Sequence, residues 1–247
     1  AMETNENEEI SEKEDKVVIP EFYRDLKRDE GRPGVWHYAF RTVAGTRKPI
    51  ATPDGLPHKL PTAWETIFGN ANPRIEIEVG SGKGGFLVEY AAKHPEINVL
   101  GSEWDATWAF FAARRMVKHD LLKNSQMLRG DIFYYLRDCA PEDSVDAFHM
   151  YFPDPWPKER HHKNRLLRPE FLELVLRVLK PGTHPFYWGT DHAEYNEIAL
   201  DVFDHFKGAE IVERNTALPT EGIMTNFEKK YRKEGRPIYR SVISFTK

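Results

Sequence analysis

The chain has 247 residues, a formal net charge of −4 and a single cysteine, Cys139. That length suits one α/β domain plus an extension, and no apolar uncharged run of about 18 residues is present to cross a membrane. One cysteine excludes an internal disulfide framework and fits a reducing, cytoplasmic compartment.

Residues 1–15 carry seven acids against Lys13, a net of −6, which leaves +2 over residues 16–247. Such an acidic segment cannot bury a core, so residues 1–20 read as a disordered tail. Residues 21–72 read as an N-terminal extension without a recognisable role, and residues 73–247 as the folded domain.

Alternation of Ile75, Ile77 and Val79 predicts a strand, and the apolar pattern over 86–93 predicts a helix. Between them Gly80, Gly82, Gly84 and Gly85 form a strand-to-helix turn where a ligand can approach the backbone. The spacing Gly80-x-Gly82-x-x-Gly85, with Glu103 downstream, also fits a dinucleotide fingerprint. Glu78, inside the strand, separates the two readings. A carboxylate there suits a cofactor with a cationic amino-acid end and repels a pyrophosphate.

Further strands are predicted at 98–103, 126–129, 145–152, 184–189, 210–213 and 239–245. Helices are predicted at 106–119, 170–179 (with Pro169 in its first turn) and 194–206. This alternation implies a doubly wound, mostly parallel sheet with helices on both faces. Glu78, Glu103, Asp131, Asp154 and Asp191 then share the C-terminal strand edge, where open α/β sheets bind ligands. Each of these carboxylates can accept hydrogen bonds from a ligand bound there.

The densest motif follows the strand at 145–152. Asp154 stands between Pro153 and Pro155 in a stiff loop, Trp156 offers a π-face, and Lys158, Arg160, Lys163, Arg165 and Arg168 offer charge for phosphates. His161 and His162 are adjacent and do not converge on one ion, so no metal is expected.

With these pieces in place, the chain resembles the tRNA (guanine-N7)-methyltransferase family of the class I, S-adenosylmethionine-dependent fold. The resemblance rests on Glu78-Val79-Gly80-Ser81-Gly82-Lys83-Gly84, Leu100-Gly101-Ser102-Glu103, Phe152-Pro153-Asp154-Pro155-Trp156-Pro157-Lys158 and Thr225-Asn226-Phe227-Glu228, in order over roughly residues 73–247. It implies a seven-stranded Rossmann-like sheet, S-adenosylmethionine as cofactor and tRNA as partner, methylated at a variable-loop guanosine. Cofactor contacts are expected from Glu78, Gly80, Gly82, Glu103, Asp131 and Asp154, with Asp154 also the catalytic residue. Substrate contacts are expected from Lys158, Arg160, Lys163, Arg165, Asp191, Thr225, Asn226, Phe227 and Glu228. The family includes more than one oligomeric arrangement, so a monomer or a homodimer is expected. Three alternatives stay open at this stage: an RNA methyltransferase acting on an exocyclic amine, a nicotinamide oxidoreductase, and a non-catalytic RNA-binding subunit.

Overall fold

The computed structural model describes residues 26–38, 63–216 and 218–247. The expected acidic tail, residues 1–20, lies outside the described residues, as does much of the extension at 21–72.

The described residues form a nine-stranded sheet: β1 (Leu26–Arg28), β2 (Val35–Tyr38), β3 (Ile75–Val79), β4 (Asn98–Glu103), β5 (Ser125–Arg129), β6 (Ala147–Tyr151), β7 (Thr183–Thr190), β8 (Ala209–Thr216) and β9 (Tyr239–Thr246), in the order β1-β2-β5-β4-β3-β6-β7-β9-β8. Strands β2 to β7 pair in parallel, while β9 runs antiparallel between β7 and β8. The seven expected strands are all present as β3 to β9. The count of seven is corrected by the extension, which adds two. Val35 and Trp36 are buried, and Val35–His37 lie in register with Met127–Arg129 of β5, so the extension closes an edge that β5 would otherwise expose.

The helices are α1 (Trp64–Phe68), α2 (Gly85–Lys93), α3 (Ala106–Lys118), α4 (Ile132–Asp138), α5 (Pro169–Val178), α6 (Ala193–His205) and α7 (Asn226–Lys233). Pleat alternation sends Ile75, Ile77 and Val79 of β3 into a core with α1, α4, α5 and α6. The other face packs Val99 and Met127 against α2 and the alanine stripe Ala109, Ala112, Ala113 of α3. Chain order reverses between β3 and β6, and this switch point places the ends of β3 and β6 side by side.

Candidate active site

All five strand-end acids fall on one edge of the parallel sheet. Glu78 and Glu103 are at the ends of β3 and β4, while Asp131, Asp154 and Asp191 follow β5, β6 and β7. The glycine loop after β3 is held by its own backbone: Ser81 N–H donates to the Ser102 carbonyl at 2.8 Å, and Gly84 N–H to the Ser81 carbonyl at 2.8 Å. Gly80 has φ +74, a left-handed conformation, and open space lies where a Cβ would stand. Gly84 is needed for contact, because a Cβ there would meet the Ala112 Cβ at 2.8 Å and push α3 off the loop.

Glu78 is buried, and its Oε2 has no hydrogen-bond partner among the described residues. Burial, with the nearby charge of Glu103 adding, pushes its carboxyl up to about 7. The Glu103 carboxylate accepts from Gly82 N–H and Asp105 N–H, each at 2.9 Å, so it braces the glycine loop and the start of α3 together. Burial raises its pKa and these backbone donors oppose the rise. Asp131 is the N-cap of α4, accepting from Phe133 N–H at 2.9 Å.

The loop that presents Asp154 is stiffer than its prolines alone require. Phe152 and Trp156 both adopt positive φ (53 and 45), and Phe152 N–H donates to the Gly189 carbonyl of β7 at 2.6 Å. Arg165 Nε donates to the Pro155 carbonyl at 2.7 Å, and Nη2 reaches Glu194 Oε1 at 3.3 Å. Asp154 itself is exposed, and the ring of Phe152, two residues before it, lies 5.7 Å from the Tyr231 ring of α7. The tyrosines Tyr195 and Tyr231 both feel its negative charge.

Two expected substrate contacts are taken up by the fold, and a third also caps a helix. Arg165 is only 4% exposed, with its guanidinium 4.8 Å from the Tyr195 ring centroid; it is a strut under the Asp154 loop rather than a phosphate contact. Glu228 is fully buried, its Oε1 paired with Arg232 at 2.7 Å and its Oε2 with Arg240 at 2.5 Å, so both oxygens are taken by the fold. Thr225 is the N-cap of α7, its hydroxyl accepting from Glu228 N–H at 3.0 Å. The Thr-x-x-Glu spacing is thus a helix start whose glutamate anchors to β9.

Lys158, Arg160 and Lys163 are exposed, as the reading of an RNA-facing segment requires. Phe227 is half exposed and lies over the glycine loop, 4.0 Å from where a Cβ on Gly82 would be, and Asn226 sits against Gly85. Asp191 pairs with Arg236 Nη1 at 2.9 Å.

Arg240 and Tyr151 were missed by sequence reasoning. The Arg240 guanidinium lies 4.6 Å from the Tyr151 ring centroid, and the Tyr151 hydroxyl is 2.8 Å from Thr220 Oγ1. Together they tie α7 to the strand that carries Asp154. The one available signal was an arginine inside the apolar run of β9, which calls for a buried acid.

A phosphate-excluding acid beneath a glycine loop, at the switch point of a doubly wound sheet, defines a methyltransferase-type α/β protein. The cofactor-bound Rv0187 from MTB shares the fold, with a TM-score of 0.50 and 13% identity, over 71% of this chain and 73% of that one. The family described as "Putative methyltransferase" matches residues 72–241. The tRNA (guanine-N(7)-)-methyltransferase of Enterococcus faecalis is 35% identical over 218 residues, 86% of this chain and 96% of that protein. The enzyme of the same name from Lactobacillus gasseri is 36% identical over 71% of this chain and 82% of its own. The chain belongs to the tRNA (guanine-N7)-methyltransferase family. Among the described residues no helix is long and apolar enough to cross a membrane, and no group of three or more His, Cys, Asp or Glu could hold a metal.

Proposed function

We propose that the chain transfers a methyl group from S-adenosylmethionine to N7 of a guanosine in tRNA, with the variable loop as the target region. The observation that carries this reading is that neighbouring strands β3 and β6 bring together a buried carboxylate with one oxygen left without a partner, Glu78 Oε2, and an exposed carboxylate in the stiff loop after β6, Asp154. The substrate follows from the relatives, whose names specify tRNA and guanine N7.

The residues present fit the cofactor. The unpaired Oε2 of Glu78 offers a buried acceptor to a primary ammonium, and the open space at Gly80 admits a ligand against the backbone. Glu103 would take the ribose hydroxyls and Asp131 the adenine edge. When bound, S-adenosylmethionine supplies an electrophilic methyl on a sulfonium. Guanine N7 carries an in-plane lone pair exposed on the Hoogsteen edge, so attack needs no general base. Asp154 orients the purine and stabilises the positive charge it gains. Arg165 holds the Asp154 loop from below, and Lys158, Arg160 and Lys163 take phosphates. Residues 73–247 hold the catalytic machinery, and β1 and β2 of the extension complete the sheet edge. The enzyme acts in the cytoplasm as a monomer or homodimer.

The direct test is incubation with bulk unmodified tRNA and labelled cofactor, followed by identification of the nucleoside. 7-Methylguanosine is expected; label on an exocyclic amine would overturn the assignment. Asp154→Asn should slow single-turnover methyl transfer by roughly 10²–10³, as for other lost electrostatic contacts, with cofactor affinity changing much less. A normal solvent deuterium effect on the methyl-transfer step, abolished in Asp154→Asn, would replace the electrostatic role by general-base catalysis.

A further inference from the structure

Helix α3 starts three residues after Glu103, at the same sheet edge as the candidate site. Its inner face buries Ala109, Ala112, Ala113 and Met116. Its outer face is unusual. Trp104 is 46% exposed, Trp108 39% and Phe111 44%. Of seven exposed large apolar side chains among the described residues, Trp108 and Phe111 share one side of α3 and Trp104 immediately precedes the helix.

Spacing turns the patch into a stripe. Residues 108, 111, 115 and 118 recur at intervals of three and four, which places them on one side of α3, and Trp104 stands just before its N-cap. The stripe therefore runs Trp, Phe, Arg, Lys, with aromatics toward the site and cations beyond it. Arg114 and Lys118 are exposed. Lys83 of the glycine loop adds a fourth cation, its ammonium 4.6 Å from the Trp108 ring centroid, and Arg115 Nη1 donates to the Lys83 carbonyl at 2.9 Å. The acid at the start of the helix, Asp105, has one oxygen occupied by capping, accepting from Thr107 and Trp108 N–H at 2.8 and 3.3 Å.

We propose that the outer face of α3 is a second docking surface for the substrate RNA, stacking unpaired bases on Trp108 and Phe111 and setting phosphates on Arg114, Lys118 and Lys83. Charge complementarity selects this occupant. Exposed aromatics with interleaved cations are what a single-stranded nucleic acid recognises, because every base has a π-face and every linkage an anion. A purely apolar partner would leave the cations without counter-charges. The surface meets the glycine loop, so RNA crossing the site edge would extend onto α3 without a break. It lies apart from the segment with Lys158, Arg160 and Lys163, which follows β6.

The proposal rests on tRNA being the substrate, and the two can fail separately. The test uses the full chain, bulk unmodified tRNA and labelled S-adenosylmethionine. In the double variant Trp108→Leu/Phe111→Leu, the apolar area is largely kept and the π-faces are lost. Its tRNA affinity should fall by about tenfold or more at every salt concentration, with an unchanged salt slope and cofactor affinity within about twofold. Trp108→Tyr/Phe111→Tyr should restore most of the affinity. Arg114→Gln/Lys118→Gln should instead flatten the slope of log affinity against log salt by roughly 1–2. If wild-type protein neither binds nor methylates tRNA, the functional reading fails. If wild type does both and the leucine variant binds tRNA unchanged, only this inference is overturned. The same holds if that variant merely shifts the protein from dimer to monomer, which would make the stripe a contact between copies. Equal loss in the tyrosine variant would also overturn it, marking a structural role.

Discussion

Strand β3 carries two buried carboxylates two residues apart, and they are in opposite electrostatic states. Burial raises the pKa of Glu76, but His149 at 2.8 Å, the Tyr90 hydroxyl at 2.9 Å and Arg74 at 2.7 Å outweigh it and hold the carboxyl down at about 2. Glu78 is buried on the same face without such partners, and burial takes it up to about 7. Backbone, strand and residue type are the same, so the difference lies wholly in what the fold supplies around each side chain. A buried acid whose partners are internal contributes to structure. A buried acid left with an unsatisfied oxygen at a strand end is a candidate for binding a ligand.

The largest expected effect comes from the satisfied acid. Glu76→Leu would leave His149, Tyr90 and Arg74 without their shared acceptor and should destabilise the protein by about 3–5 kcal/mol. Thermal melting should then drop by about 10 °C. An unchanged melting temperature would break the comparison.

Proton linkage at Glu78 comes next. A carboxyl whose folded pKa is raised holds a proton in the folded state where the unfolded chain has lost it. Ligand-free stability should therefore decline as pH rises from about 4.5 to 7 and be flat above, by up to about 3 kcal/mol from this group. Glu76 acts in the opposite sense and at lower pH, since its contribution is lost only as pH falls toward about 2. Denaturant titrations at pH 5 and pH 8 should show the slope in wild type and lose most of it in Glu78→Gln. Part of the remainder belongs to Glu103 and part to His94, whose pKa values are also raised, the latter against burial by Glu221 and Glu96.

For ligand binding, Glu78→Gln should lower affinity for S-adenosylmethionine by about 100-fold, the cost of losing one charge-assisted bond in a buried site, while raising ligand-free stability. Calorimetry and melting on the same sample check both. A parallel fall in stability would place Glu78 with Glu76 as a structural acid. The smallest expected effect is at Arg165. Arg165→Lys removes the forked donor that reaches Pro155 and Glu194, and should slow methyl transfer by about tenfold with cofactor affinity unchanged. A change in the salt dependence of tRNA binding would return Arg165 to the phosphate-contacting set.

Much of the fold was legible locally. The alternation of Ile75, Ile77 and Val79, the glycine turn and the amphipathic helices are each set by residues close in the chain, and all seven expected strands form. The short helix α4 is not legible in the sequence because its start signal, Asp131, equally suits a cofactor contact, and one side chain can cap a helix and line a site together. Helix α7 is hidden in the same way, since its Thr-x-x-Glu start equally fits a substrate motif. Strands β1 and β2 were unreadable because strands of three and four residues carry too little periodicity to stand out.

The sequence by itself determined the class of fold, the strand edge that gathers the acids, and the identity of the Asp154 loop, because period, glycine placement and proline stiffness are local properties. Tertiary structure alone decided which charges are available. Arg165 and Glu228 look like surface residues in a polar stretch, yet both are buried, one beneath the Asp154 loop and the other between Arg232 and Arg240. Glu76 and Glu78 cannot be told apart by position in a strand. Burial and pairing are set by residues distant in the chain, and the interaction energy of a charge depends on those neighbours far more than on its own residue type.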